Sequence, residues 1–192
     1  MDFVMTVRTW CAGPALVAAA LLAGSSACAQ ADAAWPALQD GSIVLFRHAT
    51  APGGGDPPGM KLGDCSTQRN LDEAGRAQAR RLGEQFRQRG IKVTAVLTSQ
   101  WCRTRDTAEL AFPGRAREDS NFNSFFGDPS RQPAQTAAAL ALLRQWRGPG
   151  VLVVVTHQVN ISMLTGLGTA SGEGVVVRPQ GQGLEVLGRL AP

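Results

Sequence analysis

Two uninterrupted apolar runs constrain this chain more than any other feature: Ile43-Val44-Leu45-Phe46 and Val151-Leu152-Val153-Val154-Val155. Short runs of β-branched and aromatic residues bounded by turn residues suit strands buried on both faces, as in a parallel sheet covered by helices. Each run ends in a histidine. The first passes into Arg47-His48 and then a loop rich in Gly and Pro; the second passes through Thr156 into His157. These are the chain's only two histidines. Either pair alone reads as a strand end with surface residues. Both together suggest one site at the carboxyl edge of the sheet, where open α/β folds place ligands.

Between these runs, strand and helix signals alternate. A capping-box pattern, Asn70-Leu71-Asp72-Glu73, opens a helix with Asn70 as its N-cap. Leu71, Ala74, Gln78, Leu82 and Phe86 then follow at helical spacing until Gly90 ends it. A strand at 93–97 runs into Thr98-Ser99, and a short helix covers 103–110. The stretch 116–127 reads as irregular. A third helix begins near Pro133 and reaches Trp146, and a short one covers 161–167. Residues 175–177 and 184–187 read as a closing hairpin around Gly181 and Gly183. Trp35-Pro36 lies in a linker over 33–40. The expected fold is α/β: a three-layer sandwich, with a mostly parallel central sheet and helices on both faces.

The amino end is expected to be a secretory signal peptide over residues 1–31. Arg8 supplies the charged start, Ala15–Ala23 a short apolar run, and Ala29 or Ala31 the cleavage position. Lipidation at Cys28 is the alternative, but Ser25 stands where a lipoprotein signal carries an aliphatic side chain. Residues 32–192 then form a single domain, periplasmic or secreted, without a transmembrane segment. Cleavage leaves Cys65 and Cys102 of the four cysteines. An even pair in an oxidising compartment suggests one disulfide, and both residues flank the proposed site.

The net charge of +4 comes from scattered arginines, without the basic cluster and interleaved aromatics of a nucleic-acid surface. No phosphate-binding P-loop is present, since Gly53-Gly54-Gly55 lacks the following Lys-Ser/Thr. The three strand ends bring Arg47-His48, Arg103 just beyond Ser99, and His157 to one edge. Guanidinium forks match phosphate oxygens, and a neutral imidazole is a nucleophile toward phosphorus near neutral pH. Metal binding is the rival use of two histidines. No carboxylate or thiolate stands at zinc-site spacing, and no metal is expected.

Four blocks carry a family resemblance. Phe46-Arg47-His48-Ala49 resembles an Arg-His-Gly signature. Arg69-Asn70-Leu71-Asp72-Glu73-Ala74-Gly75-Arg76 resembles a first-helix pattern. Ser99-Gln100-Trp101-Cys102-Arg103-Thr104-Arg105-Asp106-Thr107-Ala108 resembles a Ser-containing turn with its Arg and Thr-Ala helix, and Val154-Val155-Thr156-His157 a second histidine segment. In that order they resemble the small branch of the histidine phosphatase superfamily, the phosphoglycerate-mutase-like fold. The resemblance implies that His48 attacks phosphorus and carries the phosphoryl group. Arg47, Arg103 and His157 would bind phosphate, water would hydrolyse the intermediate, and no cofactor is needed. Arg69, Asn123 and Thr156 are candidate substrate contacts.

The departures concern the leaving-group acid. Asn123 stands where many small-branch members place a Glu, and Gln158 where the large branch uses an Asp. Glu118, Asp119 and Asp128 are the candidates for the role; otherwise the substrate must leave readily unaided. The expected function is an exported phosphatase acting on a small phosphorylated compound. A catalytically weak phosphate-binding or regulatory protein on the same fold is the alternative. Oligomeric state is not legible.

Overall fold

The computed structural model describes residues 34–192. The expected signal peptide, Cys28 and the cleavage positions lie outside the described residues. The strands are β1 (Ile43–Arg47), β2 (Val93–Thr98), β3 (Ala116–Glu118), β4 (Val151–Thr156), β5 (Gly174–Gln180) and β6 (Gly183–Leu190). The helices are α1 (Glu73–Gln88), α2 (Cys102–Ala111), α3 (Gln132–Leu143) and α4 (Gln158–Thr165). One six-stranded sheet has the order β3-β2-β4-β1-β5-β6. The first four strands are mutually parallel, and the β5–β6 hairpin extends the sheet antiparallel from β1.

The two apolar runs are adjacent: Ile43 pairs with Leu152 and Arg47 with Thr156. Their side chains alternate between two cores, as the pleat requires. Val44, Phe46, Val153 and Val155 pack with Leu82 and Phe86 of α1 and Ala108 and Ala111 of α2. Ile43, Leu45, Leu152 and Val154 pack with Ala139 and Leu143 of α3 and Ile161 of α4. All six residues of β4 are buried, which is why this strand shows no polar alternation.

Local chemistry fixes the helix ends. The N-cap of α1 is Asp72, whose carboxylate accepts from the Gly75 N–H, so the expected cap at Asn70 is corrected by two residues. Asn70 instead donates to the Cys65 carbonyl. At the other end, Gly90 at φ +64° donates to Arg87 O, and Ile91 N–H reaches Phe86 O. That is a Schellman ending, which glycine reaches without steric cost. Residues 116–118, expected to be irregular, form the edge strand β3 beside β2. The expected linker also packs: Trp35 is buried against Phe86, and Arg89 lies over its ring at 4.2 Å.

Candidate active site

Strands β1, β2 and β4 end at the same edge, and the chain leaves each end with a polar group. His48 N–H donates to Thr156 O and Ser99 N–H to Val155 O, so the pairing continues one residue beyond each strand. This holds His48, Ser99 and His157 side by side; the two imidazole centroids are 5.6 Å apart. Arg103 enters from the first turn of α2. Its start is fixed by Gln68, which accepts from the Cys102 N–H, and by a Cys65–Cys102 disulfide with Cα atoms 5.7 Å apart.

Arg47, His48, Arg69, Arg103 and His157 together line a cavity of ≈760 Å³. Its outer part carries Phe126 and Leu62, both exposed. Arg47 donates to Thr169 O and Gln158 Oε1, and Arg69 to Ala51 O. In all three arginines the Nε–H is buried without a protein partner. Buried donors of this kind are normally satisfied, so three guanidinium groups with unpaired Nε–H donors lining one cavity suit an oxyanion. Burial, and then the charge of Arg103, lowers the pKa of both Arg47 and Arg69.

The hydrogen bonds assign the histidine tautomers. His48 Nδ1 lies 2.7 Å from Ala49 O. A carbonyl only accepts, so Nδ1 carries the proton and Nε2 keeps a lone pair. His157 Nδ1 faces Arg103 Nη2 at 3.5 Å and must accept; its Nε2–H then donates to Ser99 Oγ at 2.9 Å. Ser99 Oγ in turn donates to Asn123 Oδ1. Both imidazoles are held neutral. Burial and the surrounding arginines lower the His48 pKa to about 3, although the Ala49 bond opposes the shift. Burial and Arg103 take His157 well below its usual value.

The remaining residues singled out in the sequence divide by position. Asn123 and Thr156 lie buried beneath the cavity and outside its lining. Asn123 Oδ1 accepts from the Gln100 N–H and Thr156 Oγ1 donates to Phe122 O, so they hold the loop after β3 against the turn after β2 and against β4 respectively. Glu118 pairs with Arg105, and Asp119 accepts from the Asn121 N–H; neither lines the cavity. Asp128 lines it, with Oδ1 accepting from the Ser130 hydroxyl.

Asp56 was not singled out in the sequence. Its carboxylate forms a two-point pair with Arg103, Oδ1–Nη1 2.6 Å and Oδ2–Nη2 3.1 Å. It also accepts from Trp101 Nε1 at 3.0 Å and the Arg69 N–H at 3.2 Å. An Asp set among Gly53-Gly54-Gly55 and Pro57-Pro58 gives no local pattern; only its tertiary partners mark it. Among the described residues, no group of three or more His, Cys, Asp or Glu side chains is placed to hold a metal ion.

The family model for the histidine phosphatase superfamily (branch 1) matches residues 43–123, a span that includes Arg47, His48, Arg69 and Arg103. The match and the shared fold support membership of the histidine phosphatase superfamily. Solved structures agree on the fold. SixA from Agrobacterium tumefaciens is 20% identical, with a TM-score of 0.55 over 80% of this chain and 99% of that one. The protein histidine phosphatase SixA complexed with tungstate is 16% identical, TM-score 0.54, covering 79% and 97%. The mycobacterial glucosyl-3-phosphoglycerate phosphatase complexed with VO3 is 16% identical, TM-score 0.57, covering 79% and 99%. No protein of curated function matches in sequence. Family and fold together support a phosphatase.

Proposed function

We propose that this histidine phosphatase hydrolyses small phosphate monoesters, or related phosphoryl compounds, through a phosphohistidine formed on His48. The tautomer of His48 carries the reading. With Nδ1 fixed to Ala49 O, Nε2 is an unprotonated nucleophile at the base of a cavity flanked by Arg47, Arg69 and Arg103. Those guanidinium groups compensate the charge on the phosphoryl oxygens as it spreads in transfer. His157, whose Nε2–H is held by Ser99 and whose Nδ1 accepts from Arg103, would orient the Arg103 guanidinium toward the phosphoryl group. Water then attacks the phosphorus, and His48 leaves as the neutral imidazole that its surroundings already favour.

Phe126 and Leu62 at the cavity rim support a substrate whose phosphate is attached to an apolar or aromatic body, because exposed apolar side chains around a polar floor are a common ligand-site pattern. Export is proposed from the amino-terminal sequence. The Cys65–Cys102 bond is compatible with an oxidising compartment.

The test is turnover of p-nitrophenyl phosphate by the purified protein in chelator, followed by an alkaline denaturing quench with labelled substrate. The expected result is turnover with label on His48, both lost in His48→Ala. Label elsewhere, or turnover that survives the substitution, would overturn the mechanism. Binding of phosphate by wild type without turnover across a broad range of esters would favour a phosphate-binding protein instead.

A further inference from the structure

The carboxylate that spans Arg103 occupies the donors a phosphoryl group needs. Arg103 offers Nη1 and Nη2 as a fork, and Asp56 takes both. Trp101 Nε1 and the Arg69 N–H complete four donors around the carboxylate, so an ionised Asp56 is fully satisfied in the free protein. Substrate changes this balance. A phosphoryl group seated on the Arg103 fork would remove the two charge-assisted bonds. What remains to Asp56 is the indole N–H, one backbone N–H and an adjacent anion.

We propose that Asp56 is the proton donor to the leaving group, and that it acquires this proton only when the phosphoryl group displaces it from Arg103. The assignment rests on the phosphatase reading above. Asp56 fits better than the other carboxylates. Glu118 and Asp119 lie outside the cavity, and Asp128 has no contact with an arginine of the phosphate site. Asn123 cannot serve as an acid and is bound to Ser99 and Gln100. The groups facing Asp56 are Arg103 from α2, Arg69 and Trp101; Arg47, His48 and His157 line the same cavity.

Asp56 takes a proton from solvent as the ester binds. His48 Nε2 forms the bond to phosphorus while the bond from phosphorus to the ester oxygen breaks. The Asp56 carboxylic acid gives its proton to that oxygen, releasing the alcohol. Asp56, again a carboxylate, accepts a proton from water as the water oxygen attacks phosphorus and the bond to Nε2 breaks. The phosphate departs with that proton, and Asp56 returns to Arg103. This coupling gives the pair two jobs. Without substrate the carboxylate neutralises the site; with substrate it becomes the acid.

Two measurements on Asp56→Asn test the proposal, with far-UV circular dichroism as the folding check. The first is kcat/KM for an alkyl phosphate and for p-nitrophenyl phosphate. A leaving group that needs protonation should lose about 10²- to 10⁴-fold, while p-nitrophenolate, stable as an anion, should lose under about tenfold on the same Brønsted grounds. Asp56→Glu, which keeps a carboxylate, should recover part of the alkyl ester activity. The second is calorimetric titration with tungstate, a dianion that carries no proton of its own near neutral pH, in two buffers of different ionisation enthalpy. Wild type should take up a proton on binding and Asp56→Asn should not.

Equal losses on both esters would overturn the proposal and make Asp56 a positioning residue for Arg103. Gains on both, with tighter tungstate binding, would overturn it in favour of a purely competing anion. Wild-type protein that hydrolyses neither ester would instead overturn the phosphatase reading, a result that is separate from either pattern in the variant.

Discussion

Burial makes the two histidines a measurable part of the pH dependence of stability. In the folded chain the His48 pKa is lowered to about 3 and that of His157 also falls well below 6.5. Unfolded, both titrate near pH 6.5. As pH falls below 6.5, the unfolded state binds protons that the folded state refuses, so the stability present above pH 6.5 is progressively lost. Each imidazole contributes a slope of up to about 1.4 kcal/mol per pH unit in that window. Asp56, also depressed, acts in the same direction at lower pH: burial alone would raise it, but the Arg103 hydrogen bonds and charge prevail. Urea midpoints measured from pH 7.5 to 5 should therefore fall steadily, and His48→Asn should flatten part of the slope. An unchanged midpoint would show that the imidazoles are not held neutral. Phe126 carries a second expectation. It is 68% exposed at the cavity rim, so Phe126→Ala should leave folding unchanged. It should raise KM for an aryl phosphate by about 5- to 30-fold, the worth of about 1–2 kcal/mol of apolar contact, with a smaller change for glycerol phosphate. Steady-state kinetics on the two esters checks this.

Elements were legible wherever their signal was local. The buried strands β1 and β4 announce themselves as apolar runs, and the spacing of Leu82 and Phe86 gives α1 a face for the core. β3 was not legible because Ala116-Arg117-Glu118 is short, charged and at the sheet edge, with its pairing to β2 as its only support. The cap of α1 moved from Asn70 to Asp72 because Asn70 found a better partner in the Cys65 carbonyl, a contact made by the loop and invisible in a four-residue pattern. Arg47, His48, Arg103 and His157 could be brought together from strand ends alone, whereas Asp56 depends on how a long Gly/Pro loop folds back over α2. The α1–α2 contact shows what else pattern omits. A Cβ on Gly83 would lie 2.0 Å from the Ala111 carbonyl oxygen, so the two helices approach at backbone distance. Gly83→Ala improves helix propensity by about 1 kcal/mol, yet here overpacking against backbone costs about 1–3 kcal/mol. The expected net result is a lower melting temperature, read by thermal unfolding; a rise would mean that α1 and α2 separate easily.

The whole molecule joins its long Gly/Pro loop to the helix carrying Arg103 through the Cys65–Cys102 disulfide. Cys65 lies at the start of a short turn after the Gly/Pro segment, Cys102 is the first residue of α2, and 37 residues separate them. Closing a loop of that length removes unfolded-state entropy worth about 4 kcal/mol. The consequence for the site is larger than the stability alone suggests. Arg69 lies four residues beyond Cys65 and Asp56 nine before it; both close on Arg103 from the loop, while the disulfide and the Gln68–Cys102 bond hold the start of α2. Cys65→Ser with Cys102→Ser should therefore lower the urea midpoint and also weaken oxyanion binding, because Arg69 and Arg103 no longer share one rigid base. Tungstate should raise the melting temperature of wild type, since a ligand bound only to the folded state stabilises it by about 2.7 kcal/mol at one hundred times its Kd. In the double serine variant a given tungstate concentration should give a smaller rise. A variant with a lower melting temperature but an unchanged tungstate Kd would show that the disulfide stabilises the fold without organising the site. Equal affinity would then place the ordering of the loop in the Asp56–Arg103 pair alone, and Asp56→Asn in the serine background should loosen it.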